Sequence, residues 1–204
     1  MKATQVLPPN YHLSGKFDLK NARQVISMNL VGFVLLILSI WFFGWLAIRM
    51  RGTSAISFSF EFSSISSSLF SVGKLILVIF LVLVLHEAIH AIYFWVFSRH
   101  KPLVGFKGFY AYASMPGWYF PRNQYLLIGI APLVIITFLG IILLATLPVA
   151  LIYLVLVALV MNTSGAVGDI FVVLWLFTKP QSTMALDKID SIEFYVPDTH
   201  EPIR

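Results

Sequence analysis

The sequence predicts an all-α integral membrane protein, with four transmembrane helices and a short interfacial β-hairpin between the second and third. Three observations carry that prediction. Of 204 residues, 59% are hydrophobic and 11% charged, and the mean hydropathy is +0.88. A soluble domain carries about 25% charged residues, so this chain lacks the polar side chains to cover a globule's surface. The 18 Phe, 8 Tyr and 5 Trp equally exclude a disordered chain. Finally, the apolar residues gather into four runs, each long enough for the roughly 20 residues that a span requires. A single membrane domain over residues 1–204 follows.

The elements follow in chain order. Residues 1–21 are polar, with Pro8, Pro9 and Asn10 as turn signals. The first apolar run is too long for a signal-peptide core and no cleavage site follows it, so the segment before it is expected to be retained. Spans are predicted over about 24–50, 74–98, 124–147 and 149–178, with Pro148 separating the last two. The fourth run is long enough to be tilted or interrupted. Its segment Thr163–Gly168 holds two glycines and two hydroxyl residues, which predicts a kink. Between spans one and two, Ile56–Phe62 alternates with period two and predicts a strand or interfacial segment. Residues 99–123 set Gly105, Gly108, Pro116 and Gly117 among aromatic residues, the pattern of a hairpin at the membrane interface. The tail 179–204 is polar with one strand candidate, Ile189–Val196.

Charge sets the orientation. With four spans, the N-terminal segment, the 99–123 loop and the tail share a side. That side holds eleven of the fourteen Lys and Arg residues; Arg49, Arg51 and Lys74 lie on the other. The positive-inside rule then places both termini in the cytoplasm of a multi-pass cell-membrane protein. The net charge of +5 comes from scattered residues, which points to anionic lipid and not to nucleic acid.

Cysteine is absent, which excludes disulfides, thiolate catalysis and iron–sulfur clusters. Deep inside the apolar runs stand four ionisable residues, His86, Glu87, His90 and Asp169. Such groups are costly in a bilayer and mark functional sites. Three of them form His86-Glu87-Ala88-Ile89-His90, an HExxH motif that this composition would produce by chance roughly once in two hundred chains. On a helix, residues four apart share a face, so both imidazoles can grip one zinc ion. Glu87 beside them suits a base for water activated by the zinc. A catalytic zinc needs a third ligand, and Asp169 is the remaining acid in a span. His90 lies nine residues before Arg99 and Asp169 ten before Lys179. In parallel spans both therefore sit about 13–15 Å from the same face. If the helix is continuous, Asn162 and Gly165 share the Asp169 face. Asn162 could then donate to a substrate carbonyl, and Gly165 could admit a substrate backbone or another helix.

The same residues suit other roles. The four ionisable groups would serve a proton-coupled transporter as a relay, and a non-catalytic scaffold could hold zinc for stability. Asp169 could hydrogen-bond an imidazole instead of the ion, and Asn162 could bind a neighbouring helix.

The span with His-Glu-Ala-Ile-His, the aromatic hairpin, a further span and then Asn162-Thr-Ser-Gly165-Ala-Val-Gly168-Asp169 together resemble a small bacterial family of membrane zincin peptidases. The resemblance covers most of the chain, including Leu7-Pro8-Pro9. More distantly, spans two to four resemble the core of the site-2 proteases. It implies one zinc ion on His86, His90 and Asp169, Glu87 as base, Asn162 as a substrate contact, and a membrane-protein or peptide substrate. Site-2 proteases follow their aspartate with glycine, whereas here Asp169 follows Gly168 and precedes Ile170. The expected function is that of a zinc-dependent intramembrane metallopeptidase.

Overall fold

The computed structural model describes residues 1–53, 65–108 and 110–198. The alternating segment Ile56–Phe62 lies outside them. The described elements are, in order, β1 (Tyr11–Asp18), α1 (Ala22–Arg51), α2 (Ile65–Ser98), β2 (Leu103–Lys107), β3 (Tyr110–Ser114), β4 (Tyr119–Pro121), α3 (Arg122–Thr146), α4 (Val149–Gly165), α5 (Val167–Phe177), β5 (Met184–Asp187) and β6 (Ser191–Pro197).

Helices α1, α2 and α3 are each long and apolar enough to cross a membrane. Helices α4 and α5 reach that length only together, as a pair bent by 46°. The bend falls in the predicted segment, where α4 ends at Gly165 and Ala166 separates it from α5. Asn162 and Asp169 therefore lie on different helices, which corrects the continuous face expected from sequence. Helix α2 also begins nine residues before the predicted span, at Ile65, so that Ser66, Ser67 and Ser68 lie in its first turns.

The all-α expectation is too narrow. The chain is mostly helical, but it also forms a two-stranded sheet, β2-β3, and a four-stranded antiparallel sheet in the order β1-β6-β5-β4. β1 pairs with β6 from Tyr11↔Pro197 to Asp18↔Ser191. These partners stand at opposite ends of the sequence, so no local pattern announces the sheet. β5 is four residues long and buried throughout, too short to display a period.

Contacts divide the chain into two compact units. The first comprises the described residues of Met1–Met28, Glu87–Ala131 and Gly168–Arg204. Its core joins Phe94 of α2, Phe120 of β4, Tyr125 and Ile128 of α3, Leu176 of α5 and Phe194 of β6. Phe94 meets the Phe120 ring edge-on at 5.2 Å. Such pairs add about 0.5–1.5 kcal/mol beyond the area they bury. Arg122 ties the start of α3 to the end of α5 by donating to the Leu176 carbonyl at 2.8 Å.

The second unit comprises the described residues of Asn29–His86 and Pro132–Val167. Phe43 and Ala47 of α1 pack with Leu144 of α3 and with Ile152, Val155, Leu156 and Leu159 of α4. Arg51, at the end of α1, donates to the carbonyls of Ala145 and Leu147. Those carbonyls lie where Pro148 stops α3 from continuing. Helices as apolar as these are held to one another by close side-chain packing. Gly140 shows how tight it is, because a Cβ there would overlap the Leu159 side chain.

Gly140→Val should lower the unfolding free energy in detergent by about 1–3 kcal/mol. Adding Leu159→Ala should recover part of that loss. Thermal unfolding of the two variants checks this, and additive losses would contradict the packing account.

Candidate metal centre

His86 and His90 stand one turn apart on one face of unbroken α2. What each ring can do depends on its Nδ1. In the first unit, His90 is buried, and its Nδ1 lies 2.9 Å from the Ile128 carbonyl oxygen. A carbonyl can only accept, so Nδ1 carries the proton, and in the neutral ring the lone pair is on Nε2, the atom a metal binds. In the second unit, His86 Nδ1 lies 3.0 Å from Asn162 Oδ1, with the same consequence. Both imidazoles are thus held in one tautomer by an oxygen behind the ring, as metal-ligating histidines usually are.

The availability of the Ile128 carbonyl has a local cause. Within α3, that carbonyl would normally accept from the N–H four residues on. That residue is Pro132, which lies inside the helix and has no N–H. The proline therefore releases the acceptor that orients His90. This signal was in the sequence, since a proline four residues after a buried carbonyl marks an unoccupied acceptor.

Asp169 lies in the first turn of α5, where the helix dipole favours negative charge. Its Oδ1 is 3.4 Å from His90 Nε2. A carboxylate oxygen and an imidazole lone pair at that distance repel unless a cation, either a proton or a metal ion, lies against both. His90 and Asp169 thus set two possible metal-ligand atoms side by side, and His86 precedes His90 by one turn of the same helix. Two neutral imidazoles and a carboxylate are the donor set that suits zinc.

Glu87 Oε2 accepts the Ala113 N–H at 2.7 Å. Ala113 is opposite Val104 in the β2-β3 ladder, and because its N–H goes to Glu87 it points away from β2. By the alternation of antiparallel pairing, the N–H and carbonyl of Ala111 point the same way. Among the described residues no strand pairs with the side of β3 away from β2, and Glu87 stands against that side.

Sequence reasoning did not single out Asp187. It is buried on β5, where its carboxylate accepts from Ser114 Oγ, from the Ile189 N–H at 3.0 Å and from Tyr125 Oη at 3.0 Å. Burial raises its pKa, and the hydrogen bonds from Ser114, Ile189 and Tyr125 oppose that rise. Ser114 follows Ala113, so Asp187 pins the end of the strand that touches Glu87. Nothing in the tail's composition distinguished this acid from its solvated neighbours.

Asn162 is buried and its Oδ1 is engaged by His86. Its Nδ2 has no acceptor among the described residues. Gly165 is exposed, and a Cβ there would meet nothing within 4 Å.

The model of the family described as "putative zincin peptidase" matches residues 79–184, just over half of the chain. No curated protein and no solved structure matches it. The match runs from within α2 to the start of β5, and so spans His86, Glu87, His90, Pro132, Asn162, Gly165 and Asp169, while Asp187 lies beyond its end.

Pro132→Ala would return an N–H to the Ile128 carbonyl in competition with His90. Zinc affinity, measured against a competing chelator, should fall about tenfold, the low end for loss of a ligand's outer partner. The carbonyl keeps a second lone pair, which limits the loss. Unchanged affinity would contradict the orienting role.

Proposed function

We propose that this chain, which belongs to that zincin peptidase family, is a zinc-dependent intramembrane metallopeptidase acting on membrane-associated polypeptides. The observation that carries this reading is the pair of imidazoles whose Nδ1 atoms both face oxygen, with Asp169 against one Nε2. Zinc held by His86, His90 and Asp169 would supply the Lewis acidity that polarises a peptide carbonyl and acidifies water. Glu87, oriented by the Ala113 N–H, takes the proton from the attacking water and passes it to the leaving amine. Asn162 steadies His86 and offers its Nδ2 to a substrate carbonyl.

In this reading the membrane holds four spans, the last of them the bent α4–α5 pair, with both termini in the cytoplasm. The hairpin β2-β3 sits at the interface. In support, Leu103, Val104 and Phe106 are all more than half exposed, which suits lipid better than water. The bond to be cut must be unwound, because a helix shields its peptide groups. The β3 edge at Ala111 and Ala113 can receive such a segment as an added strand. That placement lays the substrate backbone along the strand that Glu87 already touches.

Glu87→Gln should retain zinc at the wild-type stoichiometry and lower kcat by about 10²–10⁴-fold. His86→Ala and Asp169→Ala should lose zinc instead. Metal analysis beside a cleavage assay on membrane-embedded substrates separates these outcomes. Full activity in Glu87→Gln would overturn the peptidase reading, and normal zinc in Asp169→Ala would remove the third ligand.

A further inference from the structure

The first unit holds a cavity of about 470 Å³ that the peptidase reading does not use. It lies among β1, the first turns of α1, and α5 with the residues just after it. Phe171, Trp175 and Phe194 form its apolar wall, and Lys16, Arg23 and Lys179 contribute three cations; among the described residues no Asp or Glu lines it. The wall is built and held. Trp175 stacks on Phe194 with centroids 4.2 Å apart. It also presses on β1 where Gly15 stands, and a Cβ there would come within 2.8 Å of the indole. Lys179 Nζ lies over the same indole, 4.3 Å from its centroid. Among the cations, Lys16 is paired with Asp18 at 2.8 Å. Arg23 is exposed on the first turn of α1.

We propose that this cavity binds the phosphate of an anionic phospholipid. The inference rests on reading α1 and the α4–α5 pair as membrane spans. Arg23 is the second residue of one span and Lys179 follows the end of the other by two residues. Both cations therefore stand at headgroup depth, where basic pockets between spans select anionic lipid. The phosphate would lie on Arg23 and Lys179, with the glycerol and first methylenes along Phe171 and Trp175. A free phosphate would gain nothing from that aromatic wall, so the lipid is the favoured source.

The test uses the full-length, zinc-loaded protein in detergent, titrated in native mass spectrometry with phosphatidylglycerol, phosphatidylcholine or glycerol phosphate. We expect phosphatidylglycerol to be retained at one molecule per chain, well above the other two. Arg23→Gln with Lys179→Gln should weaken that retention roughly 25-fold, about fivefold for each cation removed. The control Arg49→Gln with Lys74→Gln should leave it unchanged, and an unaltered thermal unfolding midpoint reports folding of both variants. Equal retention of phosphatidylcholine, or of glycerol phosphate, would overturn the proposal without recourse to any variant. So would undiminished retention in the Arg23 and Lys179 variant. Carbonate extraction of membranes tests the span reading separately, since release of the chain would overturn that reading and the lipid site with it.

Discussion

A polar atom packed among apolar helices and shut off from water must find its partner in the protein. Most of what surrounds the HExxH turn of α2 follows from that constraint. His90 needs an acceptor for its Nδ1 proton, and a helix ordinarily spends all its interior carbonyls on its own ladder. Pro132 breaks the ladder at one rung, and Ile128 takes the imidazole. His86 finds Asn162 on α4. Glu87 finds the backbone of β3. Once these bonds are made, the imidazole nitrogens opposite them are set as lone-pair donors, and Asp169 against His90 makes a cation the natural occupant.

The sheets extend the same logic. A carboxylate that touches a strand edge is only as well placed as the strand. Among the described residues strand β3 has one neighbour in its own sheet, but its last residue is pinned by Asp187 from the tail. Asp187 is held in turn by Tyr125 of α3 and the Ile189 N–H. The N-terminal strand β1 closes the far edge of the tail's sheet by pairing with β6. Both polar ends of the chain thus support the part of the fold that carries Glu87.

How much of this was legible in the sequence depended on whether a signal was local. The apolar runs showed the helices, Pro148 the break after α3, and the glycines and hydroxyls of Thr163–Gly168 the bend between α4 and α5. Counting residues back from Arg99 and Lys179 put His90 and Asp169 at one depth, and they lie 3.4 Å apart. The four-stranded sheet was not legible, because Tyr11 pairs with Pro197 across almost the whole chain. The role of Asp187 was hidden for a related reason. An acid in a polar tail looks solvated until the tail folds over it. Asn162 was read as a substrate contact or as a bond to a neighbouring helix; its oxygen reaches His86, a partner that only the packing of α2 on α4 identifies. Pro132 could have been read, since the carbonyl it releases is fixed by helix geometry alone.

The central claim is that two imidazoles bound through Nε2, together with the Asp169 carboxylate, hold one zinc ion. X-ray absorption at the zinc edge of the loaded, purified protein tests it most directly. The account predicts one zinc per chain with two imidazoles and the rest oxygen, all at about 2.0–2.2 Å. A chain that binds no zinc stoichiometrically, or a zinc shell with more or fewer than two imidazoles, would contradict it.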